Sequence, residues 1–485
     1  MLCARKILFY LFLLIYCILC PILILYSFGF YLNPSNNEIS QTGLIHIASV
    51  PAGADIFLGK SRYKYKTPAT ITNLLPGQYQ ITLKLKGCRL WSHQVSIEEG
   101  RASAFDNIVL LPRKFNPKII VTQFDYQDLI ALSETGSFIL KTGSRLKDFF
   151  IFAWKKDKLR PLLEDYAAYA DFPVSGIYKE TRGSQIIIFG GPLWIKKFYL
   201  FDLEDKEPRI RDITKLFDGK PEQLIWDGAY QNNSFALYRG YINRLDFKEM
   251  SLYPKFIENI KGFGISAKWL YILGKDRRIS KISTDQVRRR VIIRDGNFAK
   301  AFFGKSRFYK IELLGEDVLA FLGDSGDLII TLPPYDIADG GVSGISLHKT
   351  SKRLLFWSKN IIGAADFSGN NTEESVFPDE IPVQRIYEQG RNIEQCFWAY
   401  GGTHIIFRDG DEVFLLELEP DGKHHLEHIL EIKNSTDIVY SEERGSLYYL
   451  DPKGRITKLQ IFPAEEIGFT SFAKGDKLKE NRNEF

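Results

Sequence analysis

The chain has 485 residues, 45% of them hydrophobic and 25% charged, a balance that excludes a disordered polymer and leaves material for more than one core. A net charge of +5 over this length is too slight to indicate nucleic acid or anionic lipid as a partner. With 36 Phe and 24 Tyr against 2 Met, the composition favours strands over helical cores and reads as all-β.

From Ile7 to Leu32 there is no charged residue, about 26 positions, enough to cross a hydrocarbon core of roughly 30 Å as a helix. Arg5 and Lys6 precede the run and the next charge is Glu38, which predicts a single-pass transmembrane anchor with the N-terminus cytoplasmic and the bulk extracytoplasmic. A cleaved signal peptide competes through the small-x-small site Ser27-Phe28-Gly29, although its apolar core would span only about 7–15 residues. A lipoprotein fits less well, because Tyr16 and Leu19 stand before Cys17 and Cys20 where a small residue is wanted. Pro21 predicts a kink within the helix. Residues 1–32 are therefore read as stub and anchor, and 33–41, with Asn33-Pro34-Ser35-Asn36-Asn37, as a polar linker. Cys3, Cys17 and Cys20 lie in or beside the apolar run, leaving Cys88 and Cys396, so no disulfide framework is expected. An isolated Cys88–Cys396 bridge stays open.

Residues 42–112 alternate short β patterns with turns: Ile45/Ile47, Ile56/Leu58, Ile81/Leu83/Leu85, Val95/Ile97 and Ile108/Leu110. Five or six strands in about 70 residues predict a small β-sandwich. Pro51 and Gly53 end one strand and turn the chain, and Pro76-Gly77 suits positions i+1 and i+2 of a type II turn. In order, Val50-Pro51-Ala52-Gly53-Ala54, Ile56-Phe57-Leu58-Gly59, Thr67-Pro68, Leu75-Pro76-Gly77-Gln78-Tyr79, Gly87, Trp91 and Leu110-Leu111-Pro112 resemble the PEGA domain. The departures are Ala52, where the family has Glu, and Cys88, where an aromatic commonly follows the glycine. The resemblance implies a role at the cell envelope or surface.

From 113 to 465 the sequence becomes a series of paired strands around glycine turns. Examples are Ile186–Phe189 and Phe198–Phe201 around Gly190-Gly191, and Phe235–Tyr238 and Ile242–Leu245 around Gly240. Others are Val318–Phe321 with Leu328–Ile330, His404–Phe407 with Val413–Leu416, and Leu447–Leu450 with Ile456–Leu459. Eight turn centres between positions 136 and 454 are spaced by about 45 residues, the size of a four-stranded propeller blade. The expected architecture is a seven- or eight-bladed β-propeller, with an open stack of sheets or two smaller sandwiches as the alternative. Leu354–Asp366 and His404–Leu418 resemble divergent TolB and WD40-like propellers, without a repeated Gly-His or Trp-Asp. Residues 466–485 read as a polar tail.

Several strings have a catalytic spelling. Gly323-Asp324-Ser325-Gly326 matches the surroundings of a chymotrypsin-type nucleophile, but joins two apolar strands and reads as a hairpin turn. Gly304-Lys305-Ser306 and Gly59-Lys60-Ser61 lack the glycine five residues upstream that a phosphate loop needs, Ala299 and Ala54 standing there. His424 and His428 share a face whether in strand or helix, with no third ligand nearby, so a solvated face is the default over a metal. Arg277-Arg278, Lys281 and Arg288-Arg289-Arg290 form the densest basic patch, and charge runs of this kind are usually solvated. Trp194 and Trp357 are candidates for a sugar-stacking surface.

These readings predict no catalytic, cofactor-binding or metal residue. The expectation is a membrane-anchored, non-enzymatic binding or scaffolding protein of the cell envelope, with a protein or glycan ligand and no nucleic acid. The competing class is a glycan hydrolase or lyase or a peptidase working in the propeller channel. Two or three carboxylates, or Ser, His and Asp, converging at one mouth of that channel would favour it.

Overall fold

The computed structural model describes residues 2–462 apart from 28, 34–37, 122–124, 133–136, 154–157, 164–166, 181–183, 193–195, 204–208, 231, 285–288, 294–301, 316–317, 339, 369–379 and 419–423. It divides into two units, Met1–Phe115 and Asn116–Phe485. The polar tail expected over 466–485 lies outside the described residues.

The apolar run forms a 26-residue helix, Leu2–Ser27, with Pro21 inside it. It stops short of the expected Leu32. Gly29 takes φ +81°, and Phe30–Asn33 instead pairs antiparallel with Glu38–Gln41, so part of the expected linker belongs to a hairpin. Among the described residues no helix is long and apolar enough to cross a membrane. A helix stands where the anchor was expected.

In the first unit, Ala69–Leu74, Gly43–Val50 and Ala102–Val109 form one sheet, and Ser61–Lys66, Asp55–Leu58, Gly77–Lys84 and Trp91–Ile97 a second. Alternate residues point inward, so Ile45, Ile47, Ile56, Ile81, Leu83, Trp91 and Val95 meet in one core between the sheets. Fully burying a side chain of this size contributes about 1.5–3 kcal/mol. Gly53 has φ +89°, as its turn requires, whereas Gly77 sits at +155° and opens a strand rather than occupying a type II turn.

The second unit is a succession of antiparallel sheets in chain order. They cover residues 128–161, 174–212, 223–258, 260–293, 309–330, 344–387 and 393–431, and an eighth is built from residues 439–460. Each of the first seven has four strands except the fifth, which has three among the described residues. The fourth and fifth are joined by parallel pairing of Gly262 and Phe263 with Tyr309 and Lys310. The eighth takes its outer strand from the other end of the unit, Lys118–Val121 pairing with Ile456–Lys458.

Apolar clusters knit neighbouring sheets. The first and second share Ile139, Ile151, Ile186 and Tyr199; the second and third share Ile187, Leu200, Trp226 and Ala236. Phe235 and Phe263, Tyr271 and Ile311, Ala320 and Phe356, and Leu355 and Ile405 continue the series through the seventh. Rings of Tyr400 and His404 in the seventh meet Phe462 at the end of the eighth at 5.1 and 5.6 Å. Leu129, Phe138 and Phe152 of the first then pack with Val439, Tyr448 and Leu450 of the eighth. No sheet closes on itself; contacts lead from each sheet to the next and from the eighth back to the first, the arrangement of a β-propeller, with eight such groups of strands among the described residues. Blades 1 to 8 are numbered in the order given.

Candidate functional site at the channel mouth

The first strand of each blade forms the inner wall, because these strands touch one another around the ring. Lys179 Nζ donates to Ala131 O at 2.7 Å, Gln223 Nε2 to Phe263 O at 3.2 Å, and Trp398 Nε1 to Ser346 O at 3.0 Å. Ile438 N donates to Gln395 Oε1 at 2.8 Å, and strands Asp128–Ala131 and Val439–Ser441 are in contact. Inner strands of a propeller run the same way, so their first residues share one end of the channel. Asp128, Gln223, Lys310 and Glu394 occupy the first or second position of theirs, and Asp437 stands two residues before Val439.

These groups form a charged mouth. Asp128 pairs with Lys141 at 2.8 Å; Arg408, itself buried, reaches Glu394 and lies 3.6 Å from Asp437. Burial raises the Asp437 carboxyl above its ordinary value, the charges of Asp128 and Glu394 add to the rise, and Arg408 and Lys179 oppose it. Burial lowers the Lys179 ammonium, Lys310 lowers it further and Asp437 resists. Side chains of both residues are open to solvent although protein surrounds them, the setting of groups in a water-filled channel. Opposed shifts of an acid and a base that face each other are a frequent mark of functional sites. Blades 1, 3, 5, 7 and 8 contribute the groups at the starts of their inner strands, and blade 2 adds Lys179 from the last position of its own, so sequence distance hides the site.

The strings with catalytic spelling go elsewhere. Ser325 of the Gly323–Gly326 turn donates to Asp327 Oδ1 at 2.6 Å and lies 2.6 Å from Ser306 Oγ, while Tyr309 OH donates to Asp327 Oδ2 at 2.6 Å. Ser306 also donates to Asp327, which is only 5% exposed, and no histidine takes part. Burial tends to raise Asp327, yet the three hydroxyl donors outweigh it and hold the carboxyl below its ordinary value. The serine is thus a structural donor, and Ser306 of Gly304-Lys305-Ser306 belongs to the same network. Gly59-Lys60-Ser61 forms the tight turn where Leu58 pairs with Ser61.

His425 contacts Glu427 at 3.0 Å and the His428 ring lies against Phe414; among the described residues no group of three or more His, Cys, Asp or Glu is placed to hold a metal. Cys88 and Cys396 are both free thiols. Trp357 packs over Gly344, where any Cβ would overlap its ring, and donates to Glu394 O at 3.3 Å, so it is spent on packing. Trp194 and Arg288 lie outside the described residues. Lys281 sits 5.6 Å from the Trp269 ring centre. Arg278 lines a cleft of about 900 Å³ between blades 3 and 4, together with Phe256, Ile260, Ile272 and Ile282.

Residues 42–108 match the PEGA domain family. No curated protein matches the chain. Among solved structures, the Cps50 (Swd1) β-propeller domain of Myceliophteria thermophila is 13% identical, with 71% of this chain and 100% of that one covered and a TM-score of 0.41. The WD40 domain of SCAP from fission yeast is 14% identical, with 73% and 99% covered and a TM-score of 0.43. PorZ, an essential bacterial surface component of the type-IX secretion system of Porphyromonas gingivalis, is 11% identical, with 67% and 42% covered and a TM-score of 0.37. Likeness at this level carries nothing about activity or partners.

Proposed function

We propose that this chain is a binding or scaffolding protein of the cell envelope, tethered by its N-terminal helix, with the PEGA and propeller units presenting surfaces for a protein or glycan. The observation that carries the binding reading is the channel mouth, where Asp128, Gln223, Lys310, Glu394 and Asp437 of five blades stand at the starts of their inner strands. The tether rests on the uncharged run after Arg5 and Lys6. Membrane fractionation followed by protease added outside intact spheroplasts tests it: loss of the C-terminus supports an extracytoplasmic bulk, and protection refutes it.

The three carboxylates at the mouth give a second reading its support, a hydrolase using Asp437 as acid, since its raised proton affinity suits that role. Against it, Asp128 and Glu394 are each held by a cation and no activated nucleophile stands beside them among the described residues. Full-length protein incubated with cell-wall material, envelope glycans and peptides decides between them. Retention without product supports binding; turnover abolished by Asp437→Asn supports the hydrolase.

A further inference from the structure

We propose that the cleft between blades 3 and 4 binds an extended peptide segment of a partner protein, with an aliphatic side chain against its apolar wall and a carboxylate side chain on Lys275. The site stands apart from the charged mouth, and depends neither on the reading of that mouth nor on the membrane tether.

On the face of blade 4 turned toward blade 3, the strand register sets Ile282 beside Leu270 and Ser280 beside Ile272, and the hairpin places Arg278 beside Gly274. Leu270, Ile272 and Ile282 pack into the core shared with blade 3. The small Ser280 and the bare Gly274 leave that end of the face unfilled. The facing wall is Phe256 and Ile257, partly buried near the end of the outer strand of blade 3. Asn259, at φ +60°, carries the chain from this strand into blade 4, and its carbonyl accepts the Lys275 N–H at 2.7 Å, so the rim is tied across. The resulting cleft of about 900 Å³ falls within the roughly 300–1,000 Å³ of ligand pockets.

Three features select the occupant. The apolar wall takes an aliphatic side chain. Ser280 is only 3% exposed and its hydroxyl has no hydrogen-bond partner among the described residues, a need that a peptide amide meets and an acyl chain does not. The third is charge. Glu258 is engaged by Lys255 at 3.4 Å, and Asp276 accepts the Arg278 N–H at 3.1 Å with the guanidinium at 3.7 Å. Lys275, also on the rim, is paired with no carboxylate among the described residues. An ammonium left unpaired beside an apolar wall is a ready donor to a carboxylate. Neighbouring residues of an extended segment point opposite ways, so an aliphatic residue next to an acidic one sends the first to the wall and the second to the rim.

The test uses the full chain in detergent and follows the fluorescence anisotropy of a fluorescein-labelled hexapeptide of alternating leucine and glutamate, amidated at its C-terminus. Saturable binding is expected, with the counterpart of leucine and lysine about tenfold weaker or more, because it loses the charge-assisted contact. Ser280→Leu, which fills the cleft, is expected to weaken binding about tenfold or more, with its melting temperature recorded alongside. Lys275→Glu, a change at an exposed position, is expected to reverse the preference so that the lysine peptide binds more tightly than the glutamate peptide. Lys60→Met in the other unit is expected to leave binding unchanged. The proposal fails if wild type does not bind the glutamate peptide, or if Lys275→Glu keeps the wild-type preference. It also fails if sodium laurate binds more tightly than the peptide and is weakened by Ser280→Leu, which would make the cleft an acyl site.

Discussion

Replacing Asp327 by Ala deletes the acceptor on which the hydroxyls of Ser306, Ser325 and Tyr309 converge. A buried hydroxyl left without its partner costs about 1–3 kcal/mol, and because the three can partly re-pair with one another the loss is set at about 3–4 kcal/mol rather than their sum. The unit of about 370 residues has an unfolding entropy of about 0.8 kcal/mol/K, so its melting temperature falls by about 4–5 °C. Ser325→Ala orphans far less, because Ser306 and Tyr309 still bond the carboxylate, and lowers the midpoint by about 1 °C. The carboxyl titrates below its ordinary value in the folded protein, so its stabilisation is complete above the unfolded value of 3.8 and is lost as the pH falls through the folded one. Thermal melts followed by circular dichroism at pH 7 and in steps down to pH 3 read both effects. The reasoning is refuted if Asp327→Ala melts within 1 °C of wild type at pH 7, or if Ser325→Ala is as damaging as Asp327→Ala.

Phe138 lies 4.8 Å from Phe152 and 5.4 Å from Tyr448 where blades 1 and 8 meet, so Phe138→Ala should cost about 3–5 kcal/mol in denaturant melts; a loss under 1 kcal/mol would deny that this contact closes the ring. Burial pushes His404 down to about 3, so the fold keeps it neutral while the unfolded chain protonates it below about 6.5. Stability from this residue is then complete above about pH 6.5 and declines as the pH falls toward 3, and His404→Gln should flatten the dependence of the melting temperature on pH across that window. A Cβ at Gly262 would overlap the Tyr309 carbonyl where blades 4 and 5 pair, so Gly262→Ala should lower the yield of folded protein and the melting temperature, whereas alanine at Gly304, which has open space, should not.

What the sequence displayed was the middle of each blade. Strands such as Gln185–Gly190 and His404–Asp409 are buried along their whole length, so they write largely apolar runs. Outer strands such as Lys158–Pro161 and Arg209–Asp212 have four residues, half exposed, and leave no comparable trace. Lys118–Val121 was equally silent because its partner lies at the far end of the unit. The channel site suffers the same way: Glu394 and Asp437 meet at Arg408 only once the chain has folded. One trace was present, a charged residue in the first or second position of the strand, as at Asp128, Lys310 and Glu394, but single charges at strand starts are too common to single out. In the first unit the alternation of Ile45, Ile47, Ile81 and Leu83 was plain, and the exposed edge strand Ser61–Lys66 was missed because Arg62, Tyr63, Lys64 and Tyr65 show no apolar face.

Closure by Lys118–Val121 also fixes an order of events during synthesis. The strand leaves the ribosome among the first of its unit, and the residues it must pair with follow roughly 340 positions later. At ordinary elongation rates of about 5–20 residues per second, it waits on the order of 20–70 s with both edges unpaired. Over that interval the nascent propeller is an open arc with a sticky strand at its start, and whatever keeps that strand from pairing elsewhere governs the yield of the closed ring.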